Sequence, residues 1–309
     1  MKSKKIQKII NNIIFDTVND DLEWTNLLNK YGLSNLYNSS SWGKYKRKKG
    51  WLISKIIIRS KTDNKKIAFL LLQKKKIGIF NFYVCQGGFF TLENNEEFIY
   101  SCLHSLVKQF IKMGSRDIFF LHNFREVEDV NTQAILRFGF KPRLESNMYS
   151  FYLNLKKENN FSIDKLHKNW RHNLKRALNN NRLSIKHHKE VEDRIYALSE
   201  LKKMYELLTL RKSFRPGVDI DQISQILIND QRFIILSAIY DDQIAAIRIG
   251  YQSANDIIDF LAASNNLAIK TYANYLLVWS LIEKANNLNL DGFEFGGIDP
   301  YSNQGVYLF

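Results

Sequence analysis

The order of elements in this chain repeats, and that repetition limits its fold more than any other feature. Two β-rich runs joined by a polar turn ("WLISKIIIRS", "KTDNKK", "IAFLLLQKKK") read as a hairpin. "IGIFNFYVCQGGFF" adds strand with a break at Gly87 and Gly88. The next segment, "EEFIYSCLHSLVKQFIKMG", places Phe98, Leu103, Leu106 and Phe110 at helical spacing and stops at Gly114, and "DIFFLHNF" is the closing strand. The second half runs in the same order: "RFIILSAIY", the turn "DDQ", "IAAIRIGYQ", the strand "DIIDFLAAS", a helix in "TYANYLLVWSLIEKANNLN", then Gly292 and "FEFGGI". The pattern predicts α/β units with mixed sheets flanked by helices, although spacing alone leaves open whether the halves are a duplication or two unrelated domains. A length of 309 residues also favours two domains. "MYSFYLNL" alternates like a strand, and the polar "KKENN" after it is the expected seam, giving domains 1–155 and 156–309.

Hydrophobic residues make up 45% of the chain, which predicts a packed core, yet nowhere do they run long enough to span a membrane. The opening "MKSKKIQKIINNIIFDTVND" is interrupted by Asn11 and Asn12 and followed by acids, so it reads as an ordinary terminal helix or strand. Cys85 and Cys102 are the only cysteines. Two thiols make no disulfide framework, and a reducing cytoplasm fits. No zinc spacing occurs, and no metal is expected. The net charge of +14 favours partners bearing phosphates, or peripheral contact with the anionic inner face of a membrane. A basic excess that only keeps the protein soluble is the alternative.

The charge gathers after the seam. Ser162 can cap a helix whose buried stripe is Leu166, Trp170, Leu174, Ala177 and Leu178. Lys168, Arg171, His172 and Lys175 share its other face, with Arg176 close by. The stripe has no acid of its own to pair with, which suits a phosphate-bearing ligand such as a nucleic acid; a solvated face is the plainer reading. No nucleophile elbow, phosphate-binding loop or dinucleotide fingerprint is present, and the adjacent His187 and His188 would point to opposite faces of a strand.

"NWRHNLKRALNN", "LLTLRKSFRP", "IAAIRIGYQ", "YANYLLVWSLIEKANNLNLDGFEFGGID" and "NQGVYLF", in that order, resemble the second domain of the Fem family of peptidoglycan-bridge aminoacyltransferases. "LYNSSSWGKYKRKKGW", "YVCQGGFF" (where a Gly-Pro is usual) and "FGFKPRLESNMYSFYLNL" resemble its first. The resemblance implies tandem GNAT-like domains and transfer of an amino acid from aminoacyl-tRNA to an amine of a nucleotide-linked or lipid-linked cell-wall precursor, without a cofactor. It also implies that Lys46, with Trp42 four residues before it, and Arg211, with Phe214, hold acceptor phosphates. Asp299 follows the Gly-Gly turn and could orient the amine or only cap the turn, and Asp259 is a base with a raised pKa or a solvent-facing carboxylate.

Two departures stand out. Asp259 and Leu261 replace tyrosines usual in cell-wall members, so a different acceptor is open. The chain also stops at Phe309, where the family continues into a lysine implicated in transfer and a glycine-rich strand; the expectation is a truncated sequence, because the closing sheet would otherwise lack its last strand. Two rival readings remain: an acyl-CoA-dependent GNAT N-acetyltransferase, disfavoured because no glycine lies between Gly250 and Gly292 to admit a pyrophosphate, and a non-catalytic RNA-binding protein.

Overall fold

The computed structural model describes residues 2–93, 95–111, 114–122, 130–142, 150–157, 162–212 and 217–297. The chain divides into two compact units, Met1–Glu145 and Ser146–Phe309. The division falls upstream of the expected 155/156 seam because the strand in "MYSFYLNL" pairs within the second sheet.

The first unit runs α1 (Lys2–Asn11), β1 (Ile13–Thr17), α2 (Asp21–Lys30), α3 (Ser40–Lys48), β2 (Leu52–Ser60), β3 (Lys66–Ile77), β4 (Phe80–Cys85), β5 (Phe90–Thr91), α4 (Glu96–Leu106), β6 (Asp117–Leu121) and α5 (Val130–Phe138). The sheet order is β1-β2-β3-β4-β6, with β5 added against β3. All pairs are antiparallel except β4 with β6, the crossover between them carrying α4. Both faces are covered, and the strands alternate accordingly. Ile56, Ile58, Leu70 and Leu72 join the core that contains Phe98, Cys102 and Leu106 of α4. Ile57, Phe69 and Leu71 point the other way, onto Trp24 and Leu28 of α2. Cys85 and Cys102 are both free and buried.

The second unit runs β7 (Tyr152–Asn154), α6 (Lys168–Leu178), β8 (Leu183–His188), α7 (Val191–Lys212), α8 (Ile220–Asn229), β9 (Phe233–Tyr240), β10 (Gln243–Gln252), β11 (Asp256–Ser264), α9 (Asn266–Thr271), α10 (Ala273–Asn287) and β12 (Gly292–Glu294). Its sheet order is β7-β12-β11-β10-β9-β8, and among the described residues β11 with β12 is its one parallel pair. The hairpin, next strand, helix and parallel closing strand therefore recur in the order expected. The β9–β10 turn is Asp241-Asp242, with φ of 44° and 61°, the left-handed pair that a two-residue hairpin turn requires. The outer edge of β12 is taken by β7 from upstream. The helix expected over 271–289 is α10, and Tyr272, at φ 58°, separates it from the short α9 just upstream.

Two charged side chains are buried as clamps. Lys55, only 2% exposed, bonds the Asp21 carboxylate and, at 3.3 Å, the Asp20 carbonyl, fastening α2 to β2. Arg194 of α7, at 0% exposure, donates from Nε to the Leu227 carbonyl (2.9 Å) and from Nη2 to the Asp230 and Phe233 carbonyls (both 2.9 Å). Those oxygens lie at and beyond the C-terminus of α8, where helix carbonyls lack intrahelical partners and the dipole favours a cation. Arg194→Met should leave them dry and unpaired, costing roughly 2–4 kcal/mol. Urea unfolding monitored by circular dichroism tests this, and an unmoved midpoint would show that the clamp holds nothing.

Candidate active site

In the first unit the parallel strands β4 and β6 end together at Cys85 and Leu121. Crevices beyond the carboxyl ends of parallel strands are where open α/β sheets place ligands. Gln86 and His122 emerge there, and the His122 amide donates to the Cys85 carbonyl at 3.1 Å. Beside them stands α3, capped by Ser39, whose Oγ accepts from the Trp42 amide at 3.0 Å. Trp42 is buried, its Nε1 donates to Gln86 Oε1 at 3.1 Å, and its ring meets Tyr37 edge-on at 5.1 Å. One turn on, the Lys46 ammonium lies 5.1 Å from the Trp42 ring and 5.5 Å from that of Trp51. Burial first, then the charges of Lys49 and Lys75, hold this ammonium below the ordinary lysine range. His122 is likewise held down by burial and by Lys46. The result is a half-buried cation between two indoles, beside a neutral imidazole.

The loop before α3 is tied to the strand end. Asn35 Nδ2 donates to the Gly87 carbonyl at 2.9 Å, and a Cβ on Gly87 would come within 2.6 Å of the Asn38 backbone nitrogen. Gly88 sits at φ 90°, a conformation closed to proline, so the departure from Gly-Pro has a backbone consequence.

In the second unit, β11 carries one extra residue against β10. Ile249 pairs Leu261 while Gly250 pairs Asp259, leaving Phe260 as the bulge. Arg248 and Asp259 form an ion pair with 10% and 11% of their side-chain surfaces exposed. Asp259 therefore does not face solvent. Its pKa is raised by burial, against the lowering influence of Arg248, and its Oδ1 is buried with no hydrogen-bond partner among the described residues. Gly296, at φ 73°, brings the chain after β12 so near that a Cβ there would lie 2.4 Å from the Asp259 carbonyl oxygen.

The basic helix is α6, beginning at Lys168 with His167 as its N-cap. Ser162 precedes a separate short 3-10 turn and makes no capping bond, because the chain is extended at Leu166. Leu174 and Ala177 are buried and Leu166 and Trp170 pack on the core, but Leu178 lies exposed at the helix end. Two open basins flank the cationic face. One of about 600 Å³ is lined by Lys168, Asn169, Arg171, His172, Asn173 and Lys175. Another, of about 580 Å³, adds Arg176, Asn179, Lys270 and Tyr272. An acid does approach this face from upstream: Asp164 lies 3.7 Å from Lys175 and its carbonyl accepts from Arg171 at 2.8 Å. Arg176 stacks on Tyr272 at 5.0 Å and donates to its hydroxyl. Lys168 and His172 make no side-chain hydrogen bond or ion pair among the described residues.

No family model matches the chain, nor does the sequence of any curated protein. Solved structures do. FemX superposes with a TM-score of 0.74 at 12% identity, covering 95% of this chain and 92% of FemX. The chain shares the fold of FemX. A conserved protein of unknown function from Bacteroides thetaiotaomicron gives a TM-score of 0.58 at 11% identity, over 96% of this chain and 94% of that one. The C-terminal domain of a putative lysylphosphatidylglycerol synthetase from Agrobacterium fabrum gives 0.53 at 14%, over 94% and 82%. The two-unit α/β architecture with mixed sheets flanked by helices, expected from the sequence, is thereby observed.

Lys46 and Trp42 are brought together with Trp51, Gln86 and His122, three residues the sequence reading did not select. Lys168, Arg171, His172 and Lys175 line one basin of α6, and Arg176 lines the second beside it. Arg211 lies near the end of α7, its side chain outside the described residues, as are Phe214 and Asp299. Arg248 was also missed, although a cation inside the apolar run "IAAIRIGYQ", one strand from Asp259, was a readable signal.

The pair predicts a pH effect. Arg248→Met removes the charge that holds Asp259 down, so its folded pKa rises further above the unfolded value of about 3.9. A carboxyl raised in the fold stabilises only while protonated. Stability of the variant should fall by up to ~1.4 kcal/mol per pH unit as pH rises between those two values. Urea midpoints from about pH 4 to 8 should show that slope in Arg248→Met and not in Arg248→Met/Asp259→Leu; equal slopes would separate Asp259 from the effect.

Proposed function

We propose that this protein is an N-acyltransferase that moves an amino acid from aminoacyl-tRNA to an amine on a phosphate-bearing cell-envelope precursor. The observation that carries the reading is the FemX-like fold over both units, joined to a resemblance in motif order to the peptidoglycan-bridge aminoacyltransferases. Lys46, half-buried between two indoles, is a pre-positioned cation for an acceptor phosphate. The α6 face and its basins suit a polyanionic carrier.

The chemistry asks little of side chains. The amine nitrogen attacks the ester carbonyl, a C–N bond forms, the ester C–O bond breaks, and the ribose hydroxyl leaves with a proton. The attacking nitrogen must lose a proton, and the tetrahedral oxyanion needs donors. Asp259, with its raised pKa and uncommitted Oδ1, is the proposed acceptor of that proton, with Arg248 positioning it. An acyl-CoA donor is less well served: α10 begins after Tyr272, with no glycine between Gly250 and Gly292 to let a pyrophosphate reach the backbone.

The purified protein, offered charged tRNA or acyl-CoA with a panel of amines, should consume the tRNA ester in an acceptor-dependent manner. Loss of neither donor would favour a non-catalytic RNA-binding protein. Lys46→Met should raise KM for a phosphate-bearing acceptor by about thirtyfold, some 2 kcal/mol, while leaving a phosphate-free amine unaffected. Equal effects on both acceptors would remove Lys46 from phosphate binding.

Replacing Lys168, Arg171 and Lys175 together with glutamine should lower the salt dependence of tRNA binding by up to about three charges. An unchanged slope would mean that the tRNA lies elsewhere.

A further inference from the structure

The β3–β4 hairpin carries a surface that the proposed reaction does not use. Ile77 and Phe80 face each other across a two-residue turn, Gly78-Ile79, with Gly78 at φ 58°. Ile77, Ile79 and Phe80 are 51%, 59% and 40% exposed, and Leu52, registered against Lys74 at the start of β2, is 70% exposed. Exposed turns are ordinarily built from Gly, Asn, Asp, Ser and Pro, so a tip reading Ile-Gly-Ile-Phe needs a reason.

A collar of cations stands behind the tip. Lys74, Lys75 and Lys76 lie at the end of β3, and Arg47 lies in the last turn of α3, which Lys49 caps. The two runs are physically joined: Lys75 Nζ donates to the Lys49 carbonyl at 2.5 Å, and Lys75 and Lys46 both lie over the Trp51 ring. No acid occurs from Lys44 to Lys55 or from Lys65 to Tyr83.

We infer that this hairpin is a peripheral anchor for an anionic bilayer: Ile77, Ile79 and Phe80 enter the acyl boundary while the lysines behind them meet lipid phosphates. The dimensions fit. Two strand residues beyond the last lysine reach about 7 Å, within the depth at which interfacial elements seat. Charge and apolarity are both needed to choose this partner. RNA offers phosphates but nothing for two isoleucines and a phenylalanine, and a second copy of the chain offers no complementary charge at +14.

Vesicle binding is read with neither donor nor acceptor present, so its result is independent of the proposed activity. In co-sedimentation, the full chain should bind equimolar phosphatidylcholine–phosphatidylglycerol vesicles at least about tenfold more tightly than phosphatidylcholine alone. Ile77→Ser/Ile79→Ser/Phe80→Ser should lose most of that binding. Ile79→Asp, which alters one exposed turn residue, should weaken it at least about tenfold with an unchanged thermal melt; it decides the matter if the triple variant melts early. The inference is overturned if the unaltered chain ignores anionic vesicles, if Ile79→Asp binds them as well as the unaltered chain, or if the tip substitutions change RNA retention or self-association in place of lipid binding.

Discussion

Parallel pairing of the closing strands is the constraint on which the rest depends. Two adjacent parallel strands cannot be joined by a hairpin, so each unit must send the chain over one face of its sheet and back. α4 fills that crossover in the first unit and α9 with α10 in the second. Parallel pairing also sets residues from distant parts of the sequence side by side, and in the first unit it aligns the carboxyl ends of the two strands. Gln86 and His122 meet in this way in the first unit. In the second, β11 and β12 bring Asp259 against Gly296. The candidate chemistry therefore lies where topology, more than local motif, gathers residues.

That geometry explains what could be read beforehand. The hairpins, the strands after them and the helices were legible because β-branched runs bounded by polar turns, and apolar residues at helical spacing, are local signals. Local ambiguity explains the misses. "TYANYLLVWSLIEKANN" has unbroken helical periodicity, and nothing in it shows that Tyr272 takes a left-handed conformation between two helices. The strand in "MYSFYLNL" looks like the end of what precedes it, but an unpaired edge on β12 draws it into the second sheet. Ser162 reads as a cap for a helix that begins only at Lys168.

The site itself was half legible. Lys46 and Trp42 sit one helical turn apart and travel together in the sequence. Trp51, Gln86 and His122 come from a loop, a strand end and a strand end, and only the folded sheet sets Trp51 and His122 beside the Lys46 ammonium and Gln86 against Trp42. Asp259 was visible as a carboxylate in an apolar strand, but its meaning depended on Arg248 in the neighbouring strand. With that partner, the alternative of a solvent-facing carboxylate disappears.

The excess of cations is not one property but several. Lys55, Arg194 and Arg248 are buried and committed to a carboxylate or to helix carbonyls, where they fasten elements and cannot attract a distant partner. Arg176 and Lys46 lie over aromatic rings, and Lys46 is partly desolvated, so that an incoming phosphate would be met by an already oriented charge. Others cover α6 and the base of the β3–β4 hairpin, and these can act over a Debye length. Two such patches on different units need not serve the same partner. The α6 face is polar throughout its basins, as a nucleic-acid backbone requires, whereas the hairpin patch ends in aliphatic and aromatic side chains that only an apolar phase can reward. The same sign of charge therefore specifies different surfaces, and it is the neighbouring uncharged residues that separate them.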